Sequence, residues 1–316
     1  MNILITGTNG AVANELANEL SKKINFRIIL IGKNIKKSQK KENIEYIEHN
    51  LLKPIRISKK IDVCIHSASN HYFSNPELSL KKLFLENITM SKNISNFCNK
   101  NNIKKLIFFS SIDVYGSPVR KKQVLSENNK LKPENWYAKS KIRSEKIFNS
   151  KKNRFKSVCL RVPGILVSEK FRNFPILLKH LQEIRLNKNI HIFNPGEKFN
   201  NLIDVIEIKN VICKILLLDQ KNNISLNLSA SEPIEYQKVI SLIIRLFKSK
   251  SKIINTKNKK KSFLISNDFL QKFLNLKISS TKEIISRVCK KIKNNNNLAI
   301  YGSRPVRIKK MPPRKV

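Results

Sequence analysis

Short apolar runs alternate with longer stretches in which apolar residues recur every three or four positions, from residue 2 to about residue 165. The runs at 2–6, 26–31, 44–47, 62–66, 105–110 and 157–162 predict strands, and the spacing at 10–22, 78–99 and 135–149 predicts helices between them. Repeated strand–helix–strand units imply an α/β chain with a parallel sheet covered on both faces. Strands buried on both sides read as unbroken apolar runs, as Leu106-Ile107-Phe108-Phe109 does. Beyond Pro163-Gly164 the alternation weakens. Residues 174–186 and 236–247 predict helices, 191–193 a short strand, 248–261 a lysine-rich loop and 294–297 a polar linker.

Composition narrows the class. The 316 residues are 41% hydrophobic, which excludes a disordered chain. No stretch reaches the roughly 18 apolar residues that span a bilayer, so no membrane partner is expected. Met1-Asn2-Ile3-Leu4-Ile5 has no basic region ahead of its apolar run and reads as a first strand. The five cysteines are odd in number and scattered without a CxxC pair, which fits a reduced, cytoplasmic setting and neither a zinc site nor disulfides. The formal net charge of +41 invites a nucleic-acid reading. However, the lysines spread along the whole chain beside abundant Asn and Ile, the residues with the most A- and T-rich codons. Genome bias accounts for that pattern, and the lysine clusters carry no interleaved aromatic platform, so no specific nucleic acid is expected.

Thr6-Gly7-Thr8-Asn9-Gly10-Ala11-Val12-Ala13 follows the first strand and opens an amphipathic helix. Gly7 allows a tight turn, Gly10 lets backbone approach a pyrophosphate, and Ala13 takes the third glycine position, where helix and strand pack. The helix N-terminus offers free N–H groups to phosphates. These features predict a Rossmann-type, doubly wound parallel sheet binding a dinucleotide. An acidic residue ending the second strand would mark NAD. Leu30-Ile31-Gly32-Lys33-Asn34 has none, and Lys33, with Lys36 or Lys37, is placed to meet a 2′-phosphate, so NADP is favoured over NAD. The expected organisation is a dinucleotide-binding domain at 1–165 and a smaller α/β region at 166–292. That second region mainly binds substrate and returns elements to the main sheet, and residues 293–316 form a linker and basic tail.

Tyr137-Ala138-Lys139-Ser140-Lys141 puts Tyr137 and Lys141 one helical turn apart on one face. A neighbouring ammonium lowers a phenol's pKa, so the pair could move a proton while hydride moves to or from a nicotinamide. Ser111, at the end of the strand before it, could hold the reacting oxygen against Tyr137. His66 reads as a packed residue at a strand end.

These residues resemble the extended short-chain dehydrogenase/reductases called NAD-dependent epimerase/dehydratases. The resemblance runs from residue 1 to about 290. It includes the Thr6–Ala13 turn, Val63-Cys64-Ile65-His66-Ser67-Ala68, Asn87-Ile88-Thr89, Ser111-Ile112-Asp113-Val114-Tyr115-Gly116, Tyr137–Lys141 and Leu160-Arg161-Val162-Pro163-Gly164. It implies hydride transfer at a carbon of a nucleotide-linked sugar, with Ser111, Tyr137 and Lys141 catalytic. It also implies that Gly7, Asn9, Gly10, Ala68 and Asn87 line the cofactor and that Arg161 and Pro163 lie near its nicotinamide end. Asn50 stands where the family has an Asp facing the adenine, and Gly164 where many epimerases carry Asn. Sugar 4,6-dehydratases resemble Thr-Asp-Glu-Val-Tyr-Gly after the fifth strand. Ile112 here cannot donate a proton, which disfavours dehydration. The alternative is a non-catalytic nucleotide- or RNA-binding protein that keeps the fold.

The tail, Gly302-Ser303-Arg304-Pro305-Val306-Arg307 and then Pro312-Pro313, resembles the opening of pyridoxal-phosphate sugar aminotransferases; the other reading is a disordered basic tail. Candidate partners are therefore a nucleotide-sugar substrate, a sugar aminotransferase and a second copy of the chain.

Overall fold

The computed structural model describes residues 1–8, 10–33, 43–71, 78–118, 122–167, 175–256 and 262–294. Asn9, Lys36, Lys37 and the tail motif lie outside the described residues. In chain order the first elements are β1 (Asn2–Thr6), α1 (Ala11–Ser21), β2 (Arg27–Gly32), β3 (Ile44–Glu48), β4 (Val63–His66), α2 (Leu80–Lys100), β5 (Lys105–Ser111), β6 (Gln123–Leu125), α3 (Trp136–Phe148) and β7 (Lys156–Val162). A 3-10 turn, Ile112–Tyr115, follows β5. The later elements are β8 (Gly164–Leu166), α4 (Pro175–Arg185), β9 (Ile190–Ile192), β10 (Lys198–Phe199), β11 (Leu202–Asp204), α5 (Val205–Leu217), β12 (Ile224–Asn227), β13 (Ile234–Glu235), α6 (Tyr236–Phe247), β14 (Ile253–Asn255), β15 (Phe263–Ile265), α7 (Asp268–Leu274) and α8 (Thr281–Asn294).

Seven strands form one parallel sheet in the order β12-β7-β5-β4-β1-β2-β3. This is a doubly wound, Rossmann-type sheet whose winding reverses between β1 and β4. Alternate side chains of β1 serve opposite layers. Ile3 and Ile5 pack with Leu16 of α1 and Ile208 and Val211 of α5. Leu4 packs on the other side with Met90, Ile94 and Phe97 of α2 and Phe148 of α3. Each such side chain, fully buried, contributes about 1.5–3 kcal/mol, so the two layers clamp the sheet from both faces.

The six predicted strands and three predicted helices of the first 165 residues all form, with ends shifted by no more than two residues. α3 starts at Trp136, because the Asn135 side chain caps it by accepting from the Ala138 N–H at 2.8 Å. The second half differs more from expectation. Helices α5, α7 and α8 form where none was predicted, and β9 lies one residue earlier than expected. β14 lies inside the stretch read as a lysine-rich loop, pairing in parallel with β9. Strands of two or three residues are too short to show a period of two, and these are held by their partners. β12 returns to the central sheet beside β7. Arg287 of α8 reaches Asp204 at 2.7 Å and Glu207 at 2.9 Å, tying the last described helix to the start of α5.

Where β1 and β4 part, Thr6 and His66 are register partners. The buried Thr6 hydroxyl oxygen accepts from the Ser67 N–H at 3.2 Å and the Ala68 N–H at 3.0 Å, and lies 2.9 Å from His66 Nδ1. The Ser67 hydroxyl donates back to the Thr6 carbonyl at 2.7 Å. This stitch fixes the edges of the crevice. Thr6→Val keeps the shape but removes the shared acceptor, so it should destabilise the chain by about 1–3 kcal/mol. A urea midpoint equal to that of the wild type would show that the stitch carries no stability.

Candidate active site

Ligands of a doubly wound sheet bind outside the carboxyl ends of the strands, where the winding reverses. At the end of β1, Gly7 takes φ +109°, a conformation open mainly to glycine. A Cβ on Gly7 would lie 3.4 Å from the Ala68 Cα and 3.6 Å from the Ala13 Cβ, so Gly7, Ala13 and Ala68 pack as three small residues. Gly10 is the N-cap of α1 and provides no side-chain cap, which leaves the first N–H groups facing the crevice available to an anion.

The end of β2 explains the absence of an acid there. A Cβ on Gly32 would stand 2.5 Å from the Thr8 hydroxyl and 2.9 Å from the Thr8 nitrogen, so the position has no room for a carboxylate side chain. Lys33 follows, exposed, and its carbonyl accepts from the Thr8 hydroxyl at 3.0 Å. The Asn50 side chain, after β3, accepts from the Leu52 N–H at 3.1 Å and so shapes its own turn. Asn87 is buried in α2. Its carbonyl oxygen accepts from the Asn70 N–H at 2.7 Å, and its amide donates to the Asn70 carbonyl at 3.0 Å and to Ser140 of α3 at 3.1 Å. It thus braces the loop after β4 against α3. Pro163 is buried immediately after β7.

Ser111, Tyr137 and Lys141 converge at the carboxyl end of β5. The Ser111 hydroxyl caps the 3-10 turn, accepting from the Asp113 N–H at 3.1 Å, and its proton is directed to the Asp113 carboxylate. Asp113 in turn acts electrostatically on both Tyr137 and Lys141. Lys141 is only 4% exposed; its ammonium donates to the Phe109 carbonyl at 2.8 Å and sits 4.9 Å from the centre of the Phe108 ring and 5.3 Å from that of Tyr137. Burial pulls its pKa down to about 7, against the opposing charges of Glu145 and Asp113.

Tyr137 corrects an expectation. Spacing alone suggested that Lys141 would lower the phenol's pKa. Instead burial, followed by the Asp113 charge, holds it above its usual 10, while a hydrogen bond with Ser69 works the other way. The phenol is therefore protonated at neutral pH. His71 meets the Tyr137 ring edge-on, with centroids 4.5 Å apart, and burial and then Lys141 lower its pKa to about 4. His66 is buried and stacked on Phe108 at 5.6 Å, with a pKa lowered to about 3 by burial and then Lys141, so it is a packed residue.

Sequence reasoning missed His71, Ser69 and Glu145. Nothing in the polar run 67–71 marks His71 or Ser69. Glu145 was legible in principle, as it repeats the Tyr137–Lys141 interval once more along α3. Among the described residues there is no group of three His, Cys, Asp or Glu that could hold a metal. Nor is any described helix long and apolar enough to cross a membrane.

Residues 3–228 match the family model "NAD dependent epimerase/dehydratase family". A dTDP-D-glucose 4,6-dehydratase of Dictyostelium discoideum is 27% identical over 247 residues, 70% of this chain and 57% of that protein. The chain thus spans little more than half of that relative. An uncharacterized UDP-glucose epimerase, YtcB, of Bacillus subtilis is 26% identical, over 77% of this chain and 81% of that protein. The same fold occurs in a UDP-glucuronic acid 4-epimerase from Bacillus cereus solved with UDP-glucuronic acid and NAD. Its TM-score is 0.76 at 16% identity, covering 93% of this chain and 99% of that one. MoeE5, solved with UDP-glucuronic acid and NAD, has a TM-score of 0.76 at 14% identity with the same coverage.

The buried ammonium has a consequence for stability. Lys141 has a pKa of about 7 when folded and an ordinary 10.5 when unfolded. Between those values the unfolded chain holds a proton that the folded chain lacks, so this residue's contribution falls as pH drops from about 10 to 7 and is flat below. Lys141→Met should therefore gain stability relative to the wild type as pH falls through that window. Parallel urea curves at every pH would contradict the burial of a charged group here.

Proposed function

The chain belongs to the NAD dependent epimerase/dehydratase family, and on that premise we propose that it transfers hydride at a carbon of a nucleotide-linked sugar, with Tyr137 as the acid and base. The observation that carries this reading is the convergence of Tyr137, Lys141 and Ser111 where β5 meets the crevice. Two features support a dinucleotide cradle: Gly7, Ala13 and Ala68 pack as small residues beside the turn, and the N-cap Gly10 makes no side-chain cap. A nicotinamide held there supplies the hydride donor and acceptor.

The protein's own groups suit the reducing direction first. Tyr137 holds its proton at Oη, ready for a developing alkoxide. Lys141, beneath the ring, stabilises the phenolate left behind. Ser111 can turn its hydroxyl proton from Asp113 to the substrate oxygen and hold it for transfer. The reverse sequence, oxidation followed by reduction from the other face, gives epimerisation. Dehydration has one supporting observation, the Asp113 carboxylate near Tyr137, alongside the dehydratase relative. Ile112 is buried and offers no proton, which supports the hydride-only reactions over it.

Incubating the purified chain with a panel of nucleotide sugars and each cofactor, read by mass spectrometry, tests the reading. Tyr137→Phe should lower turnover by roughly 100-fold or more while dinucleotide affinity barely changes. Turnover near that of the wild type in this variant would remove Tyr137 from the chemistry.

At the adenosine end, the neighbours named above were solved with NAD. This chain has Gly32-Lys33 there, with Gly32 closed to a carboxylate by Thr8. That supports NADP, with Lys33 meeting the 2′-phosphate. NADPH should bind more tightly than NADH, and Lys33→Asp should flatten or reverse the order. Equal affinities for the wild type in a fluorescence titration would refute the preference.

A further inference from the structure

Tyr137, Lys141 and Glu145 follow one another at four-residue intervals and share one face of α3. Glu145 is buried, and both of its oxygens are engaged. Oε1 accepts from the Ser110 hydroxyl at 2.5 Å and from Arg161 Nε at 3.1 Å, and Oε2 accepts from Arg161 Nη2 at 2.8 Å. Arg161, only 6% exposed, uses Nη1 to donate to the Tyr115 hydroxyl at 3.0 Å, which donates to Asn227 of β12 at 2.7 Å. The pair is therefore fixed to β5, β7, β12 and the 3-10 turn at once.

A buried ion pair is a weak source of stability, since apolar residues of similar volume often serve as well. Its place here points to the ammonium one turn away. We propose that Glu145 is a positioning residue of the active site, whose fixed carboxylate keeps Lys141 charged and set beneath Tyr137, while Arg161 and Ser110 hold that carboxylate in place. The groups facing Lys141 are the Phe109 carbonyl on β5, His66 on β4, His71 on the following loop, Asp113 on the 3-10 turn, and Tyr137 and Glu145 on its own helix. Both histidines are neutral at physiological pH, with pKa values of about 3 and about 4. The tyrosine is neutral too, so among the described residues Glu145 and Asp113 are the charges that oppose the burial of the ammonium. Glu145 is the larger of the two opposing charges and acts from the interior, fixed by Arg161 and Ser110, whereas burial works against the charged form of the Asp113 carboxyl.

The inference rests on Tyr137 and Lys141 being the acid–base pair, which Tyr137→Phe tests separately. The decisive variant is Glu145→Gln with Arg161→Gln, which removes both charges together and keeps amides in their place. Once thermal melting shows it folded, the pH above which turnover falls should move to lower pH by about one unit, because Lys141 gives up its proton sooner. Glu145→Asp, which retains the charge, should return that limb toward the wild-type position. The same shift is readable without substrate. Relative to Lys141→Met in the same background, the pH at which stability stops falling should drop by a similar amount. A folded double variant with both limbs unmoved overturns the inference, as does failure of the double variant and Glu145→Asp alike to fold, which makes the pair structural. Full turnover in Tyr137→Phe would instead overturn the parent reading.

Discussion

A parallel sheet that reverses its winding between two strands must leave a gap at their carboxyl ends, because the crossovers on either side depart to opposite faces. The Gly7 turn and Ala68 stand at the edges of that gap, and Ser111, Tyr137 and Lys141 gather one strand further on, at the end of β5. Thr6 pins the two strands together at the floor of the gap, the Gly7 turn and α1 form one wall, and Ser111, Tyr137 and Lys141 form the other. The site exists because the sheet is wound this way. The loop after β4 belongs to both walls, since Asn87 ties it to α3 while Ala68 packs against Gly7.

Much of this was legible in the sequence. Strands of four to seven residues between amphipathic helices carry their own periodicity, and the glycine turn stands where mechanism requires it. Spacing placed Tyr137 and Lys141 on one face correctly. It could not show how deeply that face is buried, and burial reverses the direction in which the phenol's acidity moves. Nor could it show that Asn87 and Asn50 use their side chains on the protein itself. The short strands β8 to β11 and β13 to β15 carry no pattern of their own and form only as partners of segments far along the chain. His71 reaches Tyr137 through the path of a loop, and no local pattern predicts that path.

The charge distribution gives the fold a second character. With 63 basic and 22 acidic side chains, the acids are scarce, and several of them are used inside. Glu145 meets Arg161, and Asp204 and Glu207 meet Arg287, in each case with the carboxylate almost wholly buried. Arginine suits such places because its planar fork matches a carboxylate with two bonds and never loses its charge. Among the described residues the lysines face solvent for the most part, and Lys141 is the buried exception. A surface rich in lysine leaves an interior of this kind intact, because the two populations obey different constraints.

β12 has a bearing on how the protein is made. It seals the outer edge of β7, and the Ser157 N–H bonds the Asn223 side chain 66 residues further along. During synthesis from the N-terminus, β7 therefore emerges with one side of its ladder open, and Val158, Cys159 and Leu160 stand at that edge. An open apolar strand is a template for pairing with other chains. Until residue 227 has left the ribosome, the nascent sheet has no partner of its own to close it. During that interval the open edge of β7 is exposed to pairing with other chains.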